Sequence, residues 1–130
     1  MPPNAGREKR TWSAKFRDAF RGLREGIWGQ HSFFVHFSFA AVVIAAAVVL
    51  RIDDRLEWCL LLLCIAGVLT AEMFNSALES LAKAITDERD PHVGRALNIG
   101  SAAVLIASLG AAIVGAIIFL SRLGTRLGWW

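Results

Sequence analysis

"TAEMFNSALESLAKAI", residues 70–85, puts polar groups into an apolar run, and its reading decides the fold. Just upstream, Trp58–Ala71 is fourteen residues without a charge. Glu72, Asn75 and Glu79 then arrive inside what should be the same helix. A bilayer span takes about 20 residues, so the segment crosses a membrane only if the helix continues through its acidic part. A helix from Trp58 to Ile85 would be roughly 42 Å long, against a hydrocarbon core of about 30 Å. Glu72 would lie roughly 21 Å from Trp58, still below the surface, and Glu79 roughly 31 Å from it, near the boundary. Ionisable groups at such depths are expensive and usually mark a site.

Two further apolar segments flank this one. Phe33–Leu50 is eighteen residues with only His36 and Ser38 polar, and Ile99–Leu120 is twenty-two residues with no charge. The chain is 130 residues long and 55% hydrophobic, which fits one domain of a membrane class. The expectation is an all-α membrane protein with spans at about 33–52, 57–85 and 98–120. Residues 1–11 are polar and expected to be disordered, leaving 12–130 as a single membrane domain. "TDERDPHVGR", 86–95, carries Pro91 and Gly94 and is expected to break the helix before the third span. The first apolar run starts too late for a cleavable signal peptide.

Between Trp12 and Trp28 the apolar residues Trp12, Phe16, Phe20, Leu23 and Ile27 recur on one helical face, with Lys15, Arg17, Arg21 and Arg24 on much of the remainder. A basic, aromatic-rich amphipathic helix over 12–28 is expected to lie in the membrane interface on the anionic side. Packing on a protein partner is the alternative. Seven Lys and Arg precede the first span and three (Lys83, Arg89, Arg95) separate the second from the third. Two (Arg51, Arg55) separate the first from the second, and two (Arg122, Arg126) follow the third. The imbalance predicts a cytoplasmic N-terminus and 83–98 loop, with Trp129 and Trp130 at the outer interface of a bacterial cytoplasmic membrane.

The third span has small residues every fourth position, Ala103, Ala107, Ala111 and Gly115, which lets helices approach closely within an oligomer or within the chain. Cys59 and Cys64 fall on different sides of a helix and read as apolar filler. His31, His36 and His92 show no metal-ligand spacing.

At 100° per residue, Glu72, Asn75, Ser76, Glu79 and Lys83 share a sector of about 100° on one helix face. A structural reading pairs the acids with Lys83 and nearby arginines. A functional reading has two acids and an amide bind a hard divalent cation such as Mg²⁺ together with phosphate oxygens, with one acid serving as proton acceptor. No GxxxxGK[ST] phosphate loop occurs.

"AEMFNSALESL" (71–81) and "GRALNIGSAAVLIA" (94–107) resemble the bacterial integral-membrane diacylglycerol kinase and undecaprenol kinase family. The family's first signature, E-x-x-N-[ST]-A-[IL]-E, is matched at every polar position. The likeness runs from about Phe16 to Leu120 and includes "AFRGLREG" (19–26). It implies a three-span protomer in a homotrimer that transfers the γ-phosphate of ATP to a lipid hydroxyl with Mg²⁺, and no nucleic-acid partner. It also implies Glu72 as general base, Glu79 as a magnesium ligand and Asn75 as the polar residue between them.

The chain departs from that pattern at four places. Gln30 stands where the family usually has a glutamate on magnesium, and Lys83 replaces an acidic residue one turn past Glu79. In the family's A-K-D triplet the lysine is Leu97 and the aspartate is Asn98. Lys83 or Arg95 would have to supply the missing positive charge at the nucleotide. "FFVH" (33–36) slightly resembles the undecaprenol kinase form of the first span. The rival readings are a non-catalytic member that binds lipid or a membrane partner, and a small proton-coupled transporter using Glu72. Small multidrug transporters have four spans with the key glutamate in the first, so three spans and the matched motif argue against the latter.

Overall fold

A computed structural model describes residues 11–29, 31–85 and 87–130. Among these, the chain forms four helices: α1 (Trp12–Trp28), α2 (His31–Val49), α3 (Arg55–Ile85) and α4 (Pro91–Leu127). The last three are long and apolar enough to cross a membrane. The expectation of disorder over 1–11 falls mostly outside the described residues. Thr11 lies within them, and its hydroxyl accepts from the Ala14 backbone N–H as the N-cap of α1.

α3 and α4 form the main packed pair, α2 leans on α3, and α1 touches both α2 and α3. Most large apolar side chains face outward, which suits a lipid surround and not water. A small core of Ala47, Ile52, Leu61 and Ile118 ties α2, α3 and α4 together at one end. At the other end Gly26 brings α1 onto α3. A Cβ at Gly26 would come within 2.6 Å of the Met73 sulfur, so glycine allows the close approach.

The joints are built by local chemistry. Helix α2 ends in a Schellman motif, with Ile52 N–H donating to the Ala47 carbonyl and Arg51 N–H to that of Val48. Arg51 occupies the left-handed position at φ 51°, where glycine is usual. Asp54 then caps α3, its Oδ1 accepting from Leu56 N–H at 2.6 Å. Trp58 Nε1 donates to the Ile52 carbonyl at 2.9 Å, and Arg122 of α4 binds Glu57 at 2.9 Å and Asp53 at 3.2 Å.

The break between α3 and α4 is shorter than the proline and glycine of 86–95 predict. Asp90 caps α4 by accepting from His92 and Val93 N–H at 2.7 and 3.1 Å. Pro91 sits in the first turn, where its missing N–H costs nothing. Gly94 and Arg95 are therefore helical, and α4 begins before the charge-free stretch does.

Candidate functional site

The acidic stretch continues α3 without a break, so its side chains are set by helical phase. Glu72, Asn75 and Ser76 turn inward and are 3%, 7% and 6% exposed. Glu79 is half-buried one turn further on, and Lys83 beyond it is exposed. Burial thus fades along the face toward the end of α3.

Each buried group meets a different neighbour. Glu72 faces α2, where His36 Nε2 lies 3.5 Å from its Oε2. Asn75 faces both its own helix and α4. Its Nδ2 donates to Glu79 Oε1 at 3.0 Å, while its Oδ1 has no hydrogen-bond partner among the described residues. That oxygen is pressed against Gly100 of α4, where an added Cβ would approach to 2.6 Å. Ser76 Oγ is also buried without a partner among the described residues. In a dry interior such unpaired polar atoms are costly, so this end of the bundle carries more polar capacity than the chain itself uses.

The sequence-predicted residues divide accordingly. Asn75 and Glu79 are brought together, and Glu72 is held on the same helix about one turn from Asn75 and two turns from Glu79. Lys83, Arg95 and Asn98 are exposed, and among the described residues no hydrogen bond or ion pair joins them to the acids. Gln30 lies outside the described residues. Leu97 is half-buried beside Leu78 and Leu81 in a small apolar cleft between α3 and α4. No group of three or more His, Cys, Asp or Glu side chains that would cage a metal occurs among the described residues. Among the described residues Glu79 Oε2 is unengaged, and one carboxylate oxygen with substrate phosphates is a donor set that magnesium accepts.

His36 is the residue that sequence reasoning passed over. Spacing to other histidines is uninformative, but an ionisable group within an apolar span calls for a partner. His36 also ends an apolar groove of about 460 Å³ between α2, α3 and α4, walled by residues such as Phe39, Leu61 and Phe119. Ala111 and Gly115 of the small-residue stripe line this groove within the chain, whereas Ala103 is exposed.

Comparison with known proteins agrees with the motif. The chain is 29% identical over 108 residues to the undecaprenol kinase of Bacillus subtilis (strain 168), covering 83% of this chain and 87% of that one. It is 36% identical over 85 residues to the diacylglycerol kinase of Escherichia coli (strain K12), covering 65% and 70% respectively. The sequence model of the prokaryotic diacylglycerol kinase family matches residues 17–119, which take in most of α1, all of α2 and α3 and most of α4. With three apolar helices and a polar face on α3 that carries every polar position of the signature, the chain belongs to the prokaryotic diacylglycerol kinase family.

Proposed function

We propose that the protein is a lipid kinase that moves the γ-phosphoryl group of ATP to the hydroxyl of a membrane lipid, diacylglycerol or undecaprenol. The observation that carries this reading is the buried Glu72 on one helix face with the Asn75–Glu79 pair, two turns apart in register with the family signature. Glu72, desolvated and acceptor-only when ionised, is suited to take the proton of an attacking hydroxyl. Glu79 Oε2, with Oε1 held by Asn75, would hold Mg²⁺ together with phosphate oxygens. Bound there, the ion supplies charge neutralisation for the phosphates.

The exposed cations Lys83 and Arg95, with Asn98, lie at the same end of the bundle and would meet the nucleotide from the aqueous side. The Lys and Arg imbalance supports a cytoplasmic position for this end, where ATP is, and the basic, aromatic-rich α1 is suited to lie along the interface. The protein would act as a homotrimer, because one protomer leaves the Glu79 end open and a neighbour would complete the enclosure. A second reading, a non-catalytic member that keeps the fold, is favoured by Leu97 lying in an apolar cleft where the family has a lysine.

Phosphotransfer by purified protein with MgATP and a panel of lipid alcohols tests the proposal. Turnover abolished by both Glu72→Gln and Glu79→Gln is expected. Robust turnover indifferent to both substitutions would defeat the mechanism, and an inert native protein would favour the second reading.

A further inference from the structure

Resting on the lipid-kinase reading, we propose that His36 is a positioning residue for Glu72, its Nε2–H holding one carboxylate oxygen so that the other faces the acceptor hydroxyl. Two polar residues interrupt the apolar stretch of α2. Ser38 is satisfied within its own helix, donating to the Phe34 carbonyl at 2.8 Å. His36 is not; it turns to α3 and meets Glu72 across the helix interface. Glu72 has no hydrogen bond and no other ion-pair contact among the described residues, so the imidazole at 3.5 Å is the one polar partner that faces it. The imidazole also lines the apolar groove, which Glu72 does not reach. The pair therefore stands where apolar space between the helices gives way to the polar face of α3.

The chemistry assigns each atom a task. The acceptor O–H proton passes to Glu72 Oε1 while the oxygen bonds to the γ-phosphorus, and the bond from that phosphorus to the bridging oxygen breaks to release ADP. His36 keeps its Nε2–H on Oε2 throughout and touches neither substrate. The other groups around the pair are few. From α3 the groove adds Cys64, and from α4 it adds Ser108 and no titratable side chain. On α1, Lys15, Arg17, Arg24 and Glu25 are exposed and Asp18 pairs with Arg21.

Two substitutions and one spectroscopic comparison test this. His36→Leu, which a purely packing role would tolerate in an apolar span, is expected to lower kcat on the order of a hundredfold with the KM for ATP unchanged. His36→Gln keeps a donor near the same place, so it should retain most of kcat. Independently of turnover, nitrogen NMR of His36 in nanodiscs should show its Nε2–H resonance move in Glu72→Gln, because the proton then loses its carboxylate acceptor. Native kcat in His36→Leu, or an unmoved Nε2–H resonance in Glu72→Gln, would overturn the proposal. A native protein inert toward every lipid alcohol would end the kinase reading, while the NMR comparison would still decide whether the two residues are paired.

Discussion

Asn75 donates from Nδ2 to Glu79 Oε1 at 3.0 Å, one turn along α3. The contact is local, yet what holds Asn75 is not, because its Oδ1 is seated against Gly100 of α4. The approach of two helices thus fixes an amide, and the amide fixes a carboxylate. A half-buried carboxylate with one oxygen tethered presents the other in a defined direction, which a loosely held surface glutamate does not.

Replacing Asn75 by leucine keeps the approximate shape and removes the tether. Asn75→Leu is expected to raise the magnesium concentration needed for half-maximal phosphotransfer by about tenfold, the low end of the range for losing a residue that orients a metal ligand. A magnesium titration at saturating ATP checks it. An unchanged titration would mean that Glu79 needs no orientation from Asn75.

Gly100→Ala should act through the same residue from the other helix. The added methyl must push Asn75 or part the helices, and overpacking of this kind costs about 1–3 kcal/mol. Both thermal stability and activity should fall. Adding Asn75→Ala relieves the crowding, so the double variant should regain stability without regaining activity. Gly110→Ala on the same helix, with open space around it, should lose neither.

The sequence exposes this design unevenly. Helical phase alone places Glu72, Asn75, Ser76 and Glu79 on one face, because the period of a helix is the same wherever it packs. The inward turn of Asn75 toward Gly100 and of Glu72 toward His36 depends on which helices pair and in what register, and spacing within one helix carries no such information. Gly94 illustrates the opposite error. A glycine beside a proline reads as a break, but Asp90 satisfies the first N–H groups of α4, so Pro91 starts a helix that runs through Gly94. The small-residue stripe is split, with Ala111 and Gly115 facing a groove inside the chain and Ala103 exposed.

Arg51 offers a test of the joint between α2 and α3. It holds φ 51° without the freedom of glycine, at a cost of roughly 1 kcal/mol. Its side chain is exposed and lies outside the small core that Ile52 joins. Arg51→Gly should therefore raise the unfolding midpoint in mild detergent and leave phosphotransfer unchanged. A lower midpoint would show that the arginine side chain stabilises the turn by more than the backbone strain it incurs.

Orientation has its own measurement. In a Cys59→Ala, Cys64→Ala background, Asp87→Cys should be labelled by an impermeant reagent only after the membrane is opened, and Thr125→Cys in intact cells. Asp87 and Thr125 are both exposed at opposite ends of the bundle. Labelling of position 87 from outside would put the acidic end of α3 away from ATP.

The last expectation concerns the nucleotide end, where Leu97 stands in place of the family's lysine and Asn98 in place of its aspartate. Leu97 packs beside Leu78 and Leu81, and Asn98 is exposed. A lysine at 97 would run its methylene stem along that cleft and carry its ammonium out to water, as long charged side chains do. Leu97→Lys with Asn98→Asp should therefore fold, and should lower the KM for ATP by returning a positive charge to the phosphates. Gln30→Glu should lower the magnesium requirement, since another anionic oxygen strengthens a hard-cation site. In a native protein that is already active, Lys83→Ala and Arg95→Ala discriminate further. Loss of ATP affinity in either places the compensating charge there, and the Leu97→Lys, Asn98→Asp protein should then tolerate the same alanine. If the native protein is inert and the triple restoration gains phosphotransfer, the chain is a family member that has kept the Glu72 end of the site and lost the ATP end.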